Sequence, residues 1–418
     1  MKESVDSVLR YLIWIVLNNK EGKLFSEKFL DIDKKYKNRF HKLIVLNKLS
    51  PIFIKYLKDK NLLNLIDYAY FEIHQKEALR FQMQSLAIIK EVKVINEIFL
   101  SKGLSPIYLK GIAILKEYTD ISLRPLADID ILFRKSEIFK AYQALCENNL
   151  ISRHRTKNIK EKDLEYFYKN SHHLSILTTN NILIELHHRV TAPRDFLHCP
   201  LTSDFLKTNE SINFYGSKLN IPSLENIIIN QLVHFSIQSR FNKLLRTLND
   251  LNRIQTNYID YIDWGKIISK YDDQKIKKGI CLSLEIINSN GILIRDFSYI
   301  KARFNKLFPT ETVTKEAQHK LFDKGEELQY LNPYMKFYHR KDKFKAFYEA
   351  FFPNKAWIIY VYNLTEPNGA NLLLGYLKNF IKQLQKIIFL PSYLFQFFQI
   401  GRNKKYSNSL DFWLNDNS

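Results

Sequence analysis

The hydrophobic pattern changes its period between residues 105 and 190, and no other feature of the sequence constrains the fold as strongly. Short runs there, rich in Ile and Leu, predict strands over residues 107–109, 129–133, 174–177 and 182–186. Before and after this stretch, apolar residues recur every three or four positions, which is typical of amphipathic helices. We therefore predict an α+β protein in which a small mixed β-sheet core is embedded in mainly helical flanking domains.

Composition favours a folded, mainly helical protein. Of the 418 residues, only 11 are Gly and 11 are Pro, which leaves little turn chemistry for a β sandwich or barrel. Hydrophobic residues make up 46% and charged residues 25%, a balance that excludes a disordered chain. The length allows several cores, and we predict four regions. These are an N-terminal helical region over 1–101, the α/β core over 102–205, a helical domain over 206–320 and a basic, aromatic-rich helical region over 321–418.

Two acidic residues interrupt the apolar run that follows Arg124. Asp128 and Asp130 lie two residues apart, so on a strand both side chains project from one face while Ile129 and Ile131 project from the other. Asp is depleted in strands, which makes this pair unusual. Because Mg²⁺ is held by carboxylates together with substrate phosphates, we interpret both residues as metal ligands. Two solvated acids at the surface are the alternative.

A glycine stands where the first predicted strand is followed by a helix. Gly111 would let backbone N–H groups at a helix N-terminus approach a phosphate, with Lys110 close by as a counter-charge. A plain turn is the alternative, because glycine adopts turn conformations without steric cost. The acidic pair downstream favours the phosphate site.

A third acidic residue follows a predicted hairpin. Asn180-Asn181 is the expected turn, and the strand after it carries Glu185 and His187 on one face. In two-metal phosphoryl or nucleotidyl transfer, such a carboxylate holds the acceptor-side metal or takes the proton of the acceptor hydroxyl. Glu185 is our candidate for that role, with His173 and His187 as accessory residues that orient a phosphate or a carboxylate. A solvated acid on an edge strand is the alternative.

The order of these elements resembles a known family. A strand, a Lys-Gly turn, an Arg, an Asp-Ile-Asp strand and a later Ile-Glu-Leu-His strand are similar to uncharacterised bacterial nucleotidyltransferases called nucleotidyltransferase family 5, within the DNA polymerase β-like superfamily. The resemblance covers most of the chain. It implies a minimal nucleotidyltransferase fold and metal-dependent transfer of a nucleoside monophosphate from an NTP to an acceptor.

The resemblance also implies roles for individual residues. Asp128 and Asp130 would bind Mg²⁺ or Mn²⁺, and Gly111 would border the triphosphate. We expect Lys110 and Arg124 to bind the same triphosphate through their positive charge.

A predicted helix beyond the core carries one more candidate. Arg246 and Asp250 are four residues apart, a spacing at which they would form an ion pair with each other. If this helix packs over the cleft, as the resemblance implies, Arg246 would instead bind a nucleotide phosphate through two guanidinium nitrogens.

One difference from the superfamily favours an alternative function. The wider superfamily usually has Ser or Gly directly after the turn glycine, whereas this chain has Ile112, so one hydroxyl contact to phosphate is missing. A non-catalytic protein that retains the fold and binds a nucleotide or another partner is therefore the competing class. The retained acids favour the enzyme.

The net charge of +20 attracts polyanions such as nucleotides, RNA or anionic lipid surfaces. We expect an NTP as one partner and leave the acceptor open among proteins, RNA, sugars and small molecules. Aromatic and basic residues interleave over 334–352, so nucleic acid also stays open as a partner. An amphipathic helix over 377–390 would pack on its own protein or, less commonly, lie on a membrane surface.

Two further patterns bear on location and on zinc. Cys146, Cys199 and Cys281 lie far apart, and no run reaches about 18 uncharged apolar residues, so we expect a cytoplasmic protein. Five histidines together with Cys199 suggest a zinc site, but adjacent residues on a strand point to opposite faces, so no His doublet is expected to chelate one ion. The histidines are His172, His173, His187, His188 and His198.

Overall fold

The computed structural model describes residues 5–152, 171–192, 200–241, 245–322 and 369–388, together with residues 161, 164, 168, 195, 196, 352, 358, 410, 413 and 414. In these residues, α-helices surround one mixed sheet of six strands, which confirms the predicted α+β class.

The N-terminal region consists of helices. They are α1 (Val5–Leu17), α2 (Gly22–Leu30), α3 (Lys34–Leu46), α4 (Ser50–Asp59) and α5 (Tyr68–Ser101), with a 3₁₀ turn at Leu63–Leu65. The 34 residues of α5 include no Gly or Pro, so nothing in its sequence breaks the helix. Its buried positions Val92, Ile95 and Phe99 follow the helical period. Phe99 packs edge-on against Phe133, which directly follows the second strand, and thereby joins α5 to the sheet.

The sheet combines parallel and antiparallel pairs. Its strands are β1 (Ile107–Tyr108), β2 (Asp128–Leu132), β3 (His173–Leu177), β4 (Leu183–His187), β5 (Asn209–Phe214) and β6 (Ser217–Pro222). The strand order is β3-β4-β2-β1-β6-β5. β2 runs parallel to β4 and β1 parallel to β6, whereas the other three pairs are antiparallel. The four predicted strands agree with β1 to β4 to within one residue at each end, and Asn181 lies in the predicted hairpin turn with a positive φ of 59°.

Strands β5 and β6 were not predicted from the sequence. These strands form a hairpin around Tyr215-Gly216, and β6 pairs with β1 at the centre of the sheet. The sheet therefore continues across the boundary expected near residue 205, into the region predicted to be a helical domain. The division into four regions otherwise stays a prediction.

The remaining helices pack around the sheet and beyond it. They are α6 (Lys110–Ile114), α7 (Ile138–Glu147), α8 (Leu201–Lys207), α9 (Leu224–Val233), α10 (Leu245–Tyr258), α11 (Trp264–Ser269), α12 (Gln274–Ser289), α13 (Phe297–Arg303), α14 (Glu311–Phe322) and α15 (Gly369–Ile388). A π-helical turn, His234–Gln238, continues α9, and 3₁₀ turns occupy Leu115–Glu117, Ile121–Leu123, Lys135–Glu137 and Asn305–Leu307. One continuous apolar core extends from α1 through the sheet to α14.

The predicted surface segments are described only in part. Residues 334–350, most of the basic and aromatic segment, lie outside the described residues, and so does Cys199. The segment 377–390 is helical as far as Ile388, with Leu377 and Ile381 exposed. Among the described helices, none is long and apolar enough to span a bilayer. Membrane contact through this segment stays a prediction.

Candidate functional site

The predicted acidic residues meet on one face of the sheet. In the parallel pair of β2 and β4, Asp130 lies opposite Glu185, and in the antiparallel pair of β3 and β4, His173 lies opposite His187. Residues that lie opposite each other share a face, and so do residues two apart on one strand. Asp128 therefore joins the other four residues on this face.

The other face of the same strands holds the site in place. Ile129, Ile131, Ile184 and Leu186 alternate with the site residues and are fully buried. A shift of either strand by one residue would move the carboxylates into the core, so burial fixes the register strongly. The site is built on rigid elements rather than on loops.

Lys110 supplies a cation to the acidic residues. The backbone N–H of Leu109 donates to the carbonyl of Asp130, which brings the next residue directly beside that strand. The Lys110 ammonium lies 2.6 Å from Asp130 Oδ1 and 3.8 Å from Glu185 Oε2. The backbone of Lys110 is left-handed, with φ of +44°, a conformation that costs a residue with a side chain about 1–3 kcal/mol and is concentrated at functional sites.

Asp130 is a buried carboxylate with two close partners. It is 2% exposed, and besides Lys110 it contacts His187, whose Nε2 lies 2.8 Å from Asp130 Oδ1. Burial by itself raises the pKa of Asp130, but the Lys110 ammonium and the hydrogen bond from His187 outweigh it and hold this pKa well below its usual value. Burial and Lys110 lower the pKa of His187, whereas its contacts with Asp130 and Glu185 raise it above the ordinary value.

Asp128 has no such partners. Within the described part of the chain, no group donates a hydrogen bond to its carboxylate or forms an ion pair with it. Burial, followed by repulsion from Asp130, raises the pKa of Asp128. Its two oxygens are therefore available to a cation that enters the site.

Glu185 is held between two histidines. Its carboxylate lies 3.4 Å from His173 Nε2 and 3.3 Å from His187 Nε2, and it is 15% exposed. Of the two acids Asp130 and Glu185, Glu185 is therefore the one that solvent or a substrate reaches more easily.

The histidine doublet at the start of β3 corrects one expectation. His172 precedes the strand rather than lying in it, so the rule of opposite faces does not apply to it. Its Nε2 lies 3.1 Å from His173 Nδ1, and ligand atoms of His172, His173 and His187 all lie within 4.8 Å of one another. The assumption that the two rings of a His doublet point to opposite faces is therefore wrong for this pair, while zinc binding stays untested.

Gly111 lies in the first turn of α6, where little space is left for a side chain. A Cβ there would come within 3.0 Å of Leu126 Cδ2 and 3.3 Å of Arg124 Nη1. The residue that departs from the superfamily pattern, Ile112, is buried in the core. The predicted contact of Gly111 with a triphosphate stays a prediction, while its packing role is visible.

Arg124 forms a buried ion pair with Asp250. Its Nε and Nη2 donate to the two carboxylate oxygens of Asp250 at 3.1 and 2.8 Å, and its Nη1 donates to the Pro125 carbonyl. Tyr118 donates a further hydrogen bond to Asp250 at 2.6 Å. Asp250 thus forms its ion pair with Arg124, and not with Arg246 as the helical spacing suggested.

Arg246 lies beside the same loop. Its Nη1 donates to the Pro125 carbonyl at 3.1 Å. Burial, and then repulsion from Arg124, lower the pKa of Arg246 to about 10, whereas the negative charges of Asp250 and Asp128 oppose that shift. Helix α10 therefore packs near the acids, as expected if Arg246 is to contact a bound nucleotide.

Comparison with known proteins identifies the family. Residues 33–290 match the family described as uncharacterised nucleotidyltransferase. The chain belongs to this family. No curated protein matches the chain. A crystal structure of an antigenic nucleotidyltransferase-like protein from Paracoccidioides brasiliensis is similar at 14% identity, over 52% of this chain and 96% of that chain, with a TM-score of 0.31, which is too low to support a structural argument.

Family membership confirms the resemblance drawn from the Lys-Gly turn and the Asp-Ile-Asp strand. The matched residues include every candidate of the site and extend into the N-terminal helices and α12. The roles of the individual site residues stay predictions.

Two residues near the site carried no sequence signal. Lys48 follows α3 with a φ of +57°. Burial and the charge of Arg246 lower its pKa below the ordinary value, and the charge of Asp128 opposes this shift. His234 begins the π-helical turn, and burial followed by Lys110 lowers its pKa to about 3. Both residues come close to the site because segments that are distant in the sequence pack together. Of the two, only His234 lies in a feature, a π-helical turn, that is common at functional sites.

Proposed function

We propose that the protein is a metal-dependent nucleotidyltransferase that moves a nucleoside monophosphate from an NTP to an acceptor. The observation that carries this proposal is the meeting of Asp128, Asp130 and Glu185 on one face of the sheet. Three carboxylates beside several cations, in a chain of this family, are suited to holding a divalent ion and a triphosphate together.

The donor set fits Mg²⁺ or Mn²⁺. Asp128 offers a carboxylate without a direct partner in the described residues, and Asp130 and Glu185 flank the ammonium of Lys110, so the site already accommodates a positive charge. Both ions prefer oxygen ligands. When bound, such an ion supplies charge stabilisation to the phosphates and makes the acceptor hydroxyl more acidic.

Basic residues on two sides of the acids would bind the triphosphate. Lys110 would donate from the strand end and Arg246 from α10. The Nε and Nη2 of Arg246 form no hydrogen bond with the described residues, which leaves a pair of donors for bidentate phosphate binding. Arg124, whose donors contact Asp250 and Pro125, would position this loop rather than contact the phosphates.

Glu185 would act on the acceptor. As the acceptor oxygen forms its bond to the α-phosphorus, the bond from that phosphorus to pyrophosphate breaks, and the acceptor proton passes to the Glu185 carboxylate. His173 and His187 hold this carboxylate in place from two sides.

We place the reaction in the cytoplasm, a proposal supported by the free thiols of Cys146 and Cys281.

One observation favours a second candidate, a non-catalytic protein that binds a nucleotide or a partner. The Lys110 ammonium lies within 4 Å of both Asp130 and Glu185, where it balances charge that a metal ion would otherwise balance. If Lys110 holds this position permanently, the site binds phosphate through Arg246 without catalysing transfer.

A transfer assay distinguishes the two candidates. The purified chain is incubated with each α-labelled NTP, Mg²⁺ or Mn²⁺ and a cell extract that supplies acceptors. We expect label to enter an acceptor and pyrophosphate to be released, and both to be lost in Asp128→Asn. NTP binding without any transfer favours the second candidate, and wild-type protein that binds no NTP in the presence of metal contradicts both.

A further inference from the structure

Helix α15 exposes a row of large apolar residues. The row is 46–70% exposed and consists of Leu373, Leu374, Leu377 and Ile381. These positions recur every three or four residues, so they share one face of the helix. A contiguous apolar face at the surface of a protein commonly marks a site of protein or membrane interaction. We propose that this face of α15, together with the lysines beside it, binds the surface of an anionic lipid bilayer.

The other side of α15 is the one that packs on the chain. Gly375 and Asn379 are buried, although neither is a large apolar residue. A helix turns by about 100° per residue, so these residues, two positions before and after Leu377, lie nearly opposite it. The small and polar side of the helix therefore faces the protein, and the apolar side faces away from it. A surface helix of a globular protein normally has the reverse arrangement.

The charges around the apolar face are complementary to anionic lipid. Lys378 and Lys382 are exposed, and each directly follows a residue of the apolar row. The sequence contains no Asp or Glu between Glu366 and Asp411, whereas it has several Lys and Arg there. Helices that bind at a membrane interface combine apolar side chains with Lys or Arg, and anionic headgroups attract these cations. The face therefore suits a surface that is both apolar and negatively charged.

The arrangement favours a helix that lies along the bilayer surface. The exposed apolar residues and the two exposed lysines extend from Leu373 to Lys382, so both groups run along the helix axis. The apolar side chains would enter the boundary between headgroups and acyl chains, while the lysine ammonium groups stay at the lipid phosphates. This contact does not depend on the proposed nucleotide transfer, because none of its residues belongs to the site on β2 and β4.

An exposed apolar row on α5 lacks this charge pattern. Leu79, Met83 and Leu86 are 50–63% exposed and share one face of that helix. Lys76 precedes them on the same face and forms an ion pair with Glu72 at 2.9 Å. Both signs of charge adjoin this row, so it has no net attraction for an anionic surface. It is a control for apolar exposure without a basic border.

Vesicle flotation with the full-length chain tests the proposal. The chain is mixed with vesicles of phosphatidylcholine alone, or of phosphatidylcholine with phosphatidylglycerol, and the bound fraction is measured as the ionic strength rises. We expect binding to the anionic vesicles that weakens with salt. Combining Lys378→Gln with Lys382→Gln should weaken it about twentyfold, because each cation near such a surface contributes about fivefold.

A second pair of variants tests the apolar face without changing the charge of the chain. Leu377→Gln combined with Ile381→Gln should weaken binding by at least about tenfold, because less apolar area leaves water at the interface. Leu79→Gln combined with Leu86→Gln is the matched control. Its residues are comparably exposed on α5, and it should bind as wild type does.

Three outcomes overturn the proposal. The first is equal binding by wild type and the variant of Leu377 and Ile381, because the net charge of +20 would then explain the binding alone. The second is equal binding of wild type to neutral and anionic vesicles. The third is absence of binding by wild type, and a dimer that the same variant dissociates in sedimentation would then show that a second copy covers the face. If that variant does not fold, the lysine variant decides, and binding equal to wild type overturns the proposal.

Discussion

The two aspartates of β2 should respond in opposite ways when each is neutralised. Asp128→Asn removes a charge that lies close to Asp130 and Glu185 and has no direct cationic partner in the described chain. Asp130→Asn removes a fully buried charge that contacts Lys110 at 2.6 Å and His187 at 2.8 Å. We expect the free energy of unfolding to stay unchanged or rise in the first variant and to fall in the second.

The size of the loss follows from those two contacts. Asparagine keeps an acceptor oxygen near both donors but no charge. A hydrogen bond to a charged group is worth about 1.5–3 kcal/mol and a neutral one about 0.5–1.5 kcal/mol, so Asp130→Asn should lose about 1 kcal/mol per contact and about 2 kcal/mol in total. Glu185 remains 3.8 Å from the Lys110 ammonium, so its carboxylate still partly balances the charge of Lys110. The loss of about 3–5 kcal/mol typical of a fully broken buried pair is therefore not expected.

The pH dependence of the free energy of unfolding tests the opposite effects of the two variants independently. Folding raises the pKa of Asp128 above 3.8, first by burial, so its charge destabilises the fold once the pH exceeds 3.8. Folding lowers the pKa of Asp130 below 3.8, so its stabilisation is present above that pH and is lost as the pH falls through the folded value. Any gain from Asp128→Asn should therefore vanish in acid, and the loss from Asp130→Asn should shrink there.

The free energy of unfolding of both variants is measured by urea denaturation at pH 7 and at acid pH, with a metal chelator present. Asp272→Asn is the control, because this carboxylate is fully exposed and should have almost no effect on stability. Equal losses in the two aspartate variants, or a larger loss in Asp128→Asn, would refute the assignment of one satisfied and one unsatisfied carboxylate.

Three further predictions concern the packing beside the site and a buried histidine pair in the N-terminal helices. Arg124→Met should lower the free energy of unfolding by about 3–5 kcal/mol, because it leaves Asp250 charged and buried; a loss below about 1 kcal/mol in urea titration would contradict this. Gly111→Ala brings a methyl to 3.0 Å from Leu126 Cδ2, and because the end of that side chain can shift we expect a loss of only about 1 kcal/mol; Gly369→Ala, whose added methyl meets nothing within 4 Å, serves as the neutral control. Burial lowers the pKa of His41 to about 3 and that of His74 to about 4, so the unfolded chain binds protons first and stability should fall as the pH is lowered from 7 to 5; a rise in urea midpoint would contradict this.

Local patterns were sufficient for the centre of the sheet. Alternation placed Asp128 and Asp130 on one face, and the hairpin at Asn180-Asn181 predicted the pairing that brings His173 opposite His187. These are properties of strands and short turns, which depend on residues close in sequence. The hairpin of β5 and β6 was missed because β5 has no strong apolar period. Along β5, exposed residues alternate with residues that are only partly buried.

Contacts between distant segments were not predictable in the same way. Arg124 and Asp250 are 126 residues apart, and the helical spacing of Arg246 and Asp250 suggested a local pair instead. Lys48 reaches the site from the end of α3, which no pattern around it indicates. His172 was misjudged because the alternation rule holds only inside a strand, and β3 begins at His173.

The central claim is that the carboxylates of β2 and β4 hold a divalent ion together with a nucleotide. Equilibrium binding of a fluorescent NTP, with Mg²⁺ or with chelator, tests it on wild type, Asp128→Asn and the exposed control Asp272→Asn. We predict that binding requires the metal, that Asp128→Asn weakens it by at least about tenfold, or about 1.4 kcal/mol, and that Asp272→Asn does not. Wild-type protein that binds no NTP with metal present, or equal binding by all three proteins, would contradict the claim.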